Sequence, residues 1–182
     1  ACVTPDAGGK MSAATSIRIG VLGAGTVGGH VIHLLDQWAD EYERRLGVRL
    51  DVESVLVRRR EAKRAFPIAS ELLSTDPYAV IDGKDIVVEL IGGVEPAFDY
   101  VMAALRNGTA VVTGNKALIA SRGPELFEAA RQANTRLYFE AAVAGAIPVI
   151  RALSGSLRGD RVRQIAGIVN GTTNFILDAM TT

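Results

Sequence analysis

From Ile17 onward, short apolar runs alternate with helical patterns, and at the first junction between them stands Gly23-Ala24-Gly25-Thr26-Val27-Gly28. This alternation constrains the fold more than any single residue does. Strands separated by one helix run parallel, because the helix returns the chain to the edge where the previous strand began. The expectation is therefore an α/β architecture, a Rossmann-like doubly wound and mainly parallel sheet covered on both faces. Strands are predicted at 17–22, 50–57, 85–91, 109–113 and 135–140, and helices at 26–46, 95–108 and 124–134.

The glycine segment fits G-x-G-x-x-G with a strand before it and a helix after it. Gly23 permits the tight turn, Gly25 lets the backbone approach a pyrophosphate, and Gly28 allows close helix–strand packing. The helix N-terminus then offers free N–H groups and partial positive charge to phosphates. The alternative is a glycine-rich turn that binds nothing. A fold selecting NAD(H) places an acid at the end of the second strand, on the ribose 2′-hydroxyl. Here that end reads Val57-Arg58-Arg59-Arg60, with Lys63 and Arg64 following, while Asp51 and Glu53 lie toward the other end. Guanidinium groups suit a 2′-phosphate, so the expected cofactor is NADP(H) in preference to NAD(H), with Arg58 and Arg59 as candidate contacts. The bland reading of the same run is a solvated basic loop.

Three further strand ends carry unusual chemistry. Gly92-Gly93 leaves bare backbone for a cofactor ring to pass closely. Lys116, after Thr113-Gly114-Asn115, puts an ammonium at the crevice, where it can orient a carbonyl or stabilise charge developing on its oxygen; the alternative, a surface lysine at a helix start, is electrostatically poor beside the positive dipole end, which favours the functional reading. Glu140, followed by small residues through Pro148, reads either as a capped hinge or as a carboxylate with carbonyls free to turn toward a ligand. His30 and His33 lack thiolate or carboxylate companions and read as packing or surface residues, while Trp38 and Tyr42 read as packing residues in preference to cofactor stacking.

Residues 1–15 are small and polar and are expected to be a flexible tail, with Met11 as a natural start. The dinucleotide-binding domain is expected over 16–145. After Ala144 the pattern changes to a helix (147–157), an amphipathic strand (161–171) and a helix (172–180). One strand with two helices cannot bury its own apolar face, so 146–182 reads as the beginning of an α+β substrate and dimerisation domain. Composition narrows the partners. Lys+Arg 20 against Asp+Glu 20 leaves no basic excess for nucleic acid. Cys2, the single cysteine, can form neither an internal disulfide nor a cysteine zinc site. No apolar run reaches membrane-spanning length, and the expected location is cytoplasmic.

Taken in order, IGVLGAGTVGG (19–29), VVELIGG (87–93), VVTGNKALIA (111–120), FEAAVAGAIPVIRAL (139–153) and IVNGTTNFIL (168–177) resemble homoserine dehydrogenase. The resemblance implies an oxidoreductase of amino-acid biosynthesis that interconverts L-aspartate 4-semialdehyde and L-homoserine with NAD(P)H, on the route to threonine and methionine. It implies that Gly23, Ala24, Gly25, Thr26, Val27 and Gly28 hold the pyrophosphate, that Arg58 lies near the 2′-phosphate, and that Gly92 and Gly93 border the nicotinamide. Lys116 would sit between cofactor and substrate. Glu140, with Val143, Gly145 and Ile147 largely through their carbonyls, would hold a sodium ion. The full-length chain would be a homo-oligomer. A downstream Gly-Tyr/Phe-Ala-Glu-Ala-Asp-Pro motif, with the Asp and Lys that follow it in the family, does not occur in these residues, so the 182-residue chain is expected to bind cofactor without turning over substrate. Two other classes compete: a non-catalytic NADP(H)-binding module or another NADP-dependent reductase of a small aldehyde or ketone, and an aldehyde dehydrogenase using a cysteine thioester. The second is disfavoured because the only thiol precedes the first strand.

Overall fold

A computed structural model describes residues 16–145, 147–167 and 171–181. The expected tail with Met11 and Cys2, and residues Ala146, 168–170 and Thr182, lie outside the described residues. Six strands form one sheet: β1 (Ser16–Leu22), β2 (Arg49–Leu56), β3 (Leu73–Ser74), β4 (Ile86–Glu89), β5 (Ala110–Thr113) and β6 (Leu137–Tyr138). Their order is β3-β2-β1-β4-β5-β6 and every neighbouring pair is parallel. This is the doubly wound Rossmann arrangement expected from the alternation.

Both sheet faces are buried, which explains the near-continuous apolar strands. Ile19, Val21 and Val55 pack on one face with Ile32 of α1 (Thr26–Gln37). Leu22, Val87 and Val111 pack on the other with α4 (Ala97–Arg106) and α5 (Lys116–Gln132). Ala97, Val101, Ala104 and Leu105 give α4 a fully buried stripe at i, i+4, i+7 and i+8.

The structure departs from the sequence reading in several places. The helix expected over 26–46 breaks at Trp38 into α1 and α2 (Ala39–Leu46). The break lets the charged α2 turn against β2, and Trp38, read as a packing residue, is 48% exposed at the junction. The helix predicted at 124–134 starts eight residues earlier, because Asn115 caps it and Pro124 sits inside it, not at its start. No element was expected between 65 and 84, yet β3 forms there and is followed by α3 (Pro77–Ile81). Asp76 caps α3 by accepting the N–H groups of Tyr78 and Ala79, with Pro at the first helical position. The helix expected over 147–157 is a short α6 (Val149–Arg151) running into a π turn over Ala152–Ser156. Residues 161–167, expected in a strand, are exposed and unpaired into any sheet. A strand needs a neighbour for its N–H and C=O groups, and none faces this segment among the described residues. Gly171–Thr181 forms α7, with Phe175 and Met180 exposed.

Asp85 joins the starts of β1 and β4. Its carboxylate accepts the Arg18 backbone N–H at 2.8 Å and the guanidinium at 3.0 Å through both oxygens. The Arg18 side-chain hydrogen bond, then its backbone N–H, hold Asp85 below the usual carboxylate range. A carboxyl depressed in the folded state stabilises the fold above its unfolded value, near 4, and loses that contribution as pH falls toward its folded value. Asp85→Asn should flatten the fall in urea stability below about pH 5, by under about 1 kcal/mol because the pair is half exposed. Leu105→Ala, at a fully buried position, should cost about 2–5 kcal/mol in the same measurement.

Candidate functional site

In this strand order the connections reverse direction between β1 and β4, and the crevice outside their carboxyl ends is where doubly wound sheets bind ligands. The backbone prepares that edge. Gly23 N–H donates to the Leu56 carbonyl at 3.2 Å, Leu90 N–H to Leu22 at 2.9 Å, and Gly114 N–H to Glu89 at 3.2 Å. A cleft of about 500 Å³ opens there, lined by Gly23, Ala24 and Gly25 on one side and by Arg58, Arg59 and Lys63 on another, with Leu90, Ile91 and Tyr100.

The glycine turn has the geometry its sequence predicts. Gly23 adopts φ +103°, and a Cβ on Gly28 would lie 1.9 Å from the Gly23 carbonyl oxygen, so close helix–strand packing excludes any side chain there. A Cβ on Gly25, by contrast, would meet nothing within 4 Å: the space beside it is open toward the cleft. Gly25 is the N-cap of α1, no side chain caps that helix, and its first turn holds no acid. Its first N–H groups are thus available to an anion. Thr26 and Val27 are exposed at the same helix start.

The basic loop is sorted by its hydrogen bonds. Arg64 turns inward, donating to the carbonyls of Arg59 at 2.6 Å, Arg60 at 2.8 Å and Ala62 at 2.9 Å. It therefore clasps the loop shut and itself lines the cleft beside the exposed Arg58 and Arg59, whereas Arg60 does not line it. No carboxylate lines this cleft. Asp51 is tied to Arg49 and Ser16 near the start of β2, and Glu53 pairs with Lys84 at 3.2 Å.

Beyond the cleft, the ends of β4 and β5 meet in a buried polar junction. Glu89 is fully buried, as is Thr113, and Asn115 is 5% exposed. The Glu89 carboxylate accepts from the Ile91 N–H at 2.8 Å, the Thr113 hydroxyl at 2.5 Å and the Asn115 side-chain amide at 3.3 Å. Asn115 Nδ2 also donates to the Gly93 carbonyl at 2.6 Å, and its Oδ1 accepts the Leu118 N–H, capping α5. Gly92 and Gly93, at φ +81° and +76°, are thereby tied to the turn that presents Lys116. Lys116 is exposed at the first position of α5. Sequence reasoning missed Glu89, Thr113 and Asn115 as a unit. The available signal was one carboxylate inside the otherwise apolar run Val87-Val88-Glu89-Leu90-Ile91.

Glu140 begins a 3₁₀ turn (Glu140–Ala142) after β6. Its carboxylate accepts the N–H groups of Ile150 at 3.0 Å and Arg151 at 2.9 Å, so it joins this turn to α6. Ala144 and Gly145 have φ +57° and +60°. Ile147 is exposed, and its carbonyl accepts the Val149 N–H. Among the described residues no three His, Cys, Asp or Glu side chains cluster as a metal site. His33 stacks on Phe66 at 4.2 Å and His30 meets the same ring edge-on at 4.7 Å, which is the packing role expected of them.

The family model described as the NAD-binding domain of homoserine dehydrogenase matches residues 23–140, well over half of the chain. The chain belongs to the homoserine dehydrogenase family. A second family model, described as homoserine dehydrogenase, matches residues 148–182. Homoserine dehydrogenase of Corynebacterium glutamicum is 50% identical over 168 residues, covering 91% of this chain and 38% of that protein. That of Bacillus subtilis is 44% identical over 167 residues, 91% and 39% of the two. A crystal structure of a homoserine dehydrogenase from Thiobacillus denitrificans superposes with a TM-score of 0.81 at 47% identity, covering 91% of this chain and 39% of that one. The chain thus spans about two fifths of the length of the homoserine dehydrogenases it matches. No helix among the described residues is long and apolar enough to cross a membrane.

Two glycines in the turn make opposite demands, and this can be measured. Gly25→Ala should leave the thermal midpoint within about 2 °C, because its Cβ meets open space, while weakening dinucleotide binding at least about tenfold. Gly28→Ala should lose stability as well as binding, because its Cβ strikes backbone. Equal midpoints for the two variants would contradict the geometry.

Proposed function

We propose that these residues are the cofactor-binding part of a homoserine dehydrogenase, interconverting L-aspartate 4-semialdehyde and L-homoserine with NADP(H) preferred over NAD(H). The observation that carries the reading is one cleft in which the glycine turn faces Arg58 and Arg59 with no carboxylate in its lining. The residues fit the cofactor: the open space beside Gly25 and the uncapped α1 suit a pyrophosphate, and the guanidiniums suit a 2′-phosphate. When bound, the nicotinamide supplies or accepts the hydride. Gly92 and Gly93 would border that end, and the Lys116 ammonium would hold the substrate oxygen and stabilise negative charge on it.

The proposed division is a cofactor domain over 16–145 and the start of a substrate domain over 146–182, in a chain that acts in the cytoplasm as a homo-oligomer at full length. A sodium ion is assigned to Glu140 with carbonyls of Val143, Gly145 and Ile147. The donor set supports this, being all hard oxygen without sulfur or imidazole, and the left-handed φ at Ala144 and Gly145 reorients successive peptides. Two N–H bonds occupy part of a carboxylate's roughly four acceptor positions and leave others for an ion. Replacing sodium by a bulky organic cation at constant ionic strength should lower the thermal midpoint of the full-length enzyme, and Glu140→Gln should remove that difference.

Arg58→Ser should raise the Kd for NADPH by about tenfold or more, some 1.4 kcal/mol, and leave that for NADH within about twofold. Equal losses for both would mean that Arg58 does not select the phosphate. The full-length chain should oxidise homoserine with NADP⁺. Residues 1–182 alone should bind NADPH yet turn over several orders of magnitude more slowly, since substrate positioning and proton transfer then lack their partners. An inactive full-length chain that still binds NADPH would indicate a non-catalytic module.

A further inference from the structure

Glu89 is a fully buried carboxylate whose three hydrogen bonds come from neutral donors: the Ile91 N–H, the Thr113 hydroxyl and the Asn115 amide. Burying a carboxylate without a cationic partner is costly unless its bonds are complete, and its place in the fold gives the arrangement a use. Through Ile91 it sets where the Gly92–Gly93 turn begins, and through Asn115, whose Nδ2 also holds the Gly93 carbonyl, it sets where that turn ends. Through Thr113, whose oxygen accepts the Asn115 N–H at 3.0 Å, it orients the turn from which Lys116 projects. The backbone around one side chain thus carries both the nicotinamide border and the substrate-side ammonium.

Resting on the reading above, we propose that Glu89 is a positioning residue for hydride transfer: it locks the Gly92–Gly93 turn and the Lys116 turn into one rigid unit, so that nicotinamide and substrate oxygen are held at a fixed separation. It touches neither cofactor nor substrate. The pyrophosphate turn and Arg58 lie on other loops and take none of its side-chain hydrogen bonds. A misplacement of about 1 Å at the reacting centre can cost about 10²-fold in rate, whereas phosphate-end binding is insensitive to it.

The isosteric Glu89→Gln cannot satisfy the junction. With its amide nitrogen toward Thr113, the threonine hydroxyl proton loses its acceptor; flipped, the amide faces the Ile91 and Asn115 donors. In the full-length enzyme, kcat for homoserine oxidation should fall about 10²-fold. KM for homoserine and Kd for NADPH should stay within about threefold, at a temperature well below the variant's thermal midpoint. Bound NADPH should show lower fluorescence anisotropy at the nicotinamide, a readout that a purely stabilising role would not move. Thr113→Val, which removes the hydroxyl at nearly constant volume, should act in the same direction, and Thr113→Ser should retain most of the turnover. If Glu89→Gln does not fold, the two Thr113 variants decide. Wild-type kcat with unchanged anisotropy in Glu89→Gln, or in Thr113→Val, overturns the proposal while leaving the assigned activity standing; loss of NADPH binding in parallel with kcat overturns it likewise. A wild-type enzyme unable to oxidise homoserine overturns both.

Discussion

Parallel pairing around β1 is the constraint on which the site depends. With β2 on one side and β4 on the other, both parallel to it, the three strands end at one edge. The peptides just beyond them are then held by their neighbours: Gly23 by Leu56, Leu90 by Leu22, Gly114 by Glu89. Each loop at the crevice therefore starts from a hydrogen-bonded backbone position. The glycine turn, the Gly92–Gly93 turn and the Lys116 turn inherit their relative placement from the sheet, and the sheet in turn is held by apolar clusters on both of its faces.

Electrostatics divides this edge into two regions. Around the cleft the charge is positive and exposed: Arg58 and Arg59 are kept in reach because Arg64 closes their loop by donating to three backbone carbonyls. A neighbouring arginine that also lines the cleft thus shapes the loop through hydrogen-bond geometry. At the ends of β4 and β5 the polar groups are buried, and no buried side-chain polar atom among the described residues lacks a partner. Buried networks of this kind rigidify when complete.

The strands at the centre of the sheet were legible because burial on both faces leaves continuous apolar runs, and the glycine turn because its residue types are dictated by backbone shape. Helix limits were less so. Pro124 has the local signature of a helix start, but Asn115 provides a better one, its side chain accepting the Leu118 N–H and lengthening α5. The break at Trp38 carries no glycine or proline, and follows from α2 folding back on β2. β3 is two residues long, too short for periodicity to register. The strand read at 161–171 had the right alternation, but a strand is a property of a pair, and that segment has no neighbouring strand among the described residues.

The sequence by itself determined the alternation of strands and helices around β1, the parallel sheet, the glycine turn and the sign of charge at the end of β2. These follow from local backbone chemistry and from hydrophobic period, which act between residues close along the chain. Only the tertiary structure decided which basic residues face the cleft, that Glu140 joins its turn to α6, and that Glu89 meets Thr113 and Asn115. Those contacts cross 10 to 26 positions of sequence. The Glu89 contacts arise only when parallel register brings separate strand ends to one edge and water is excluded from the groups that meet there.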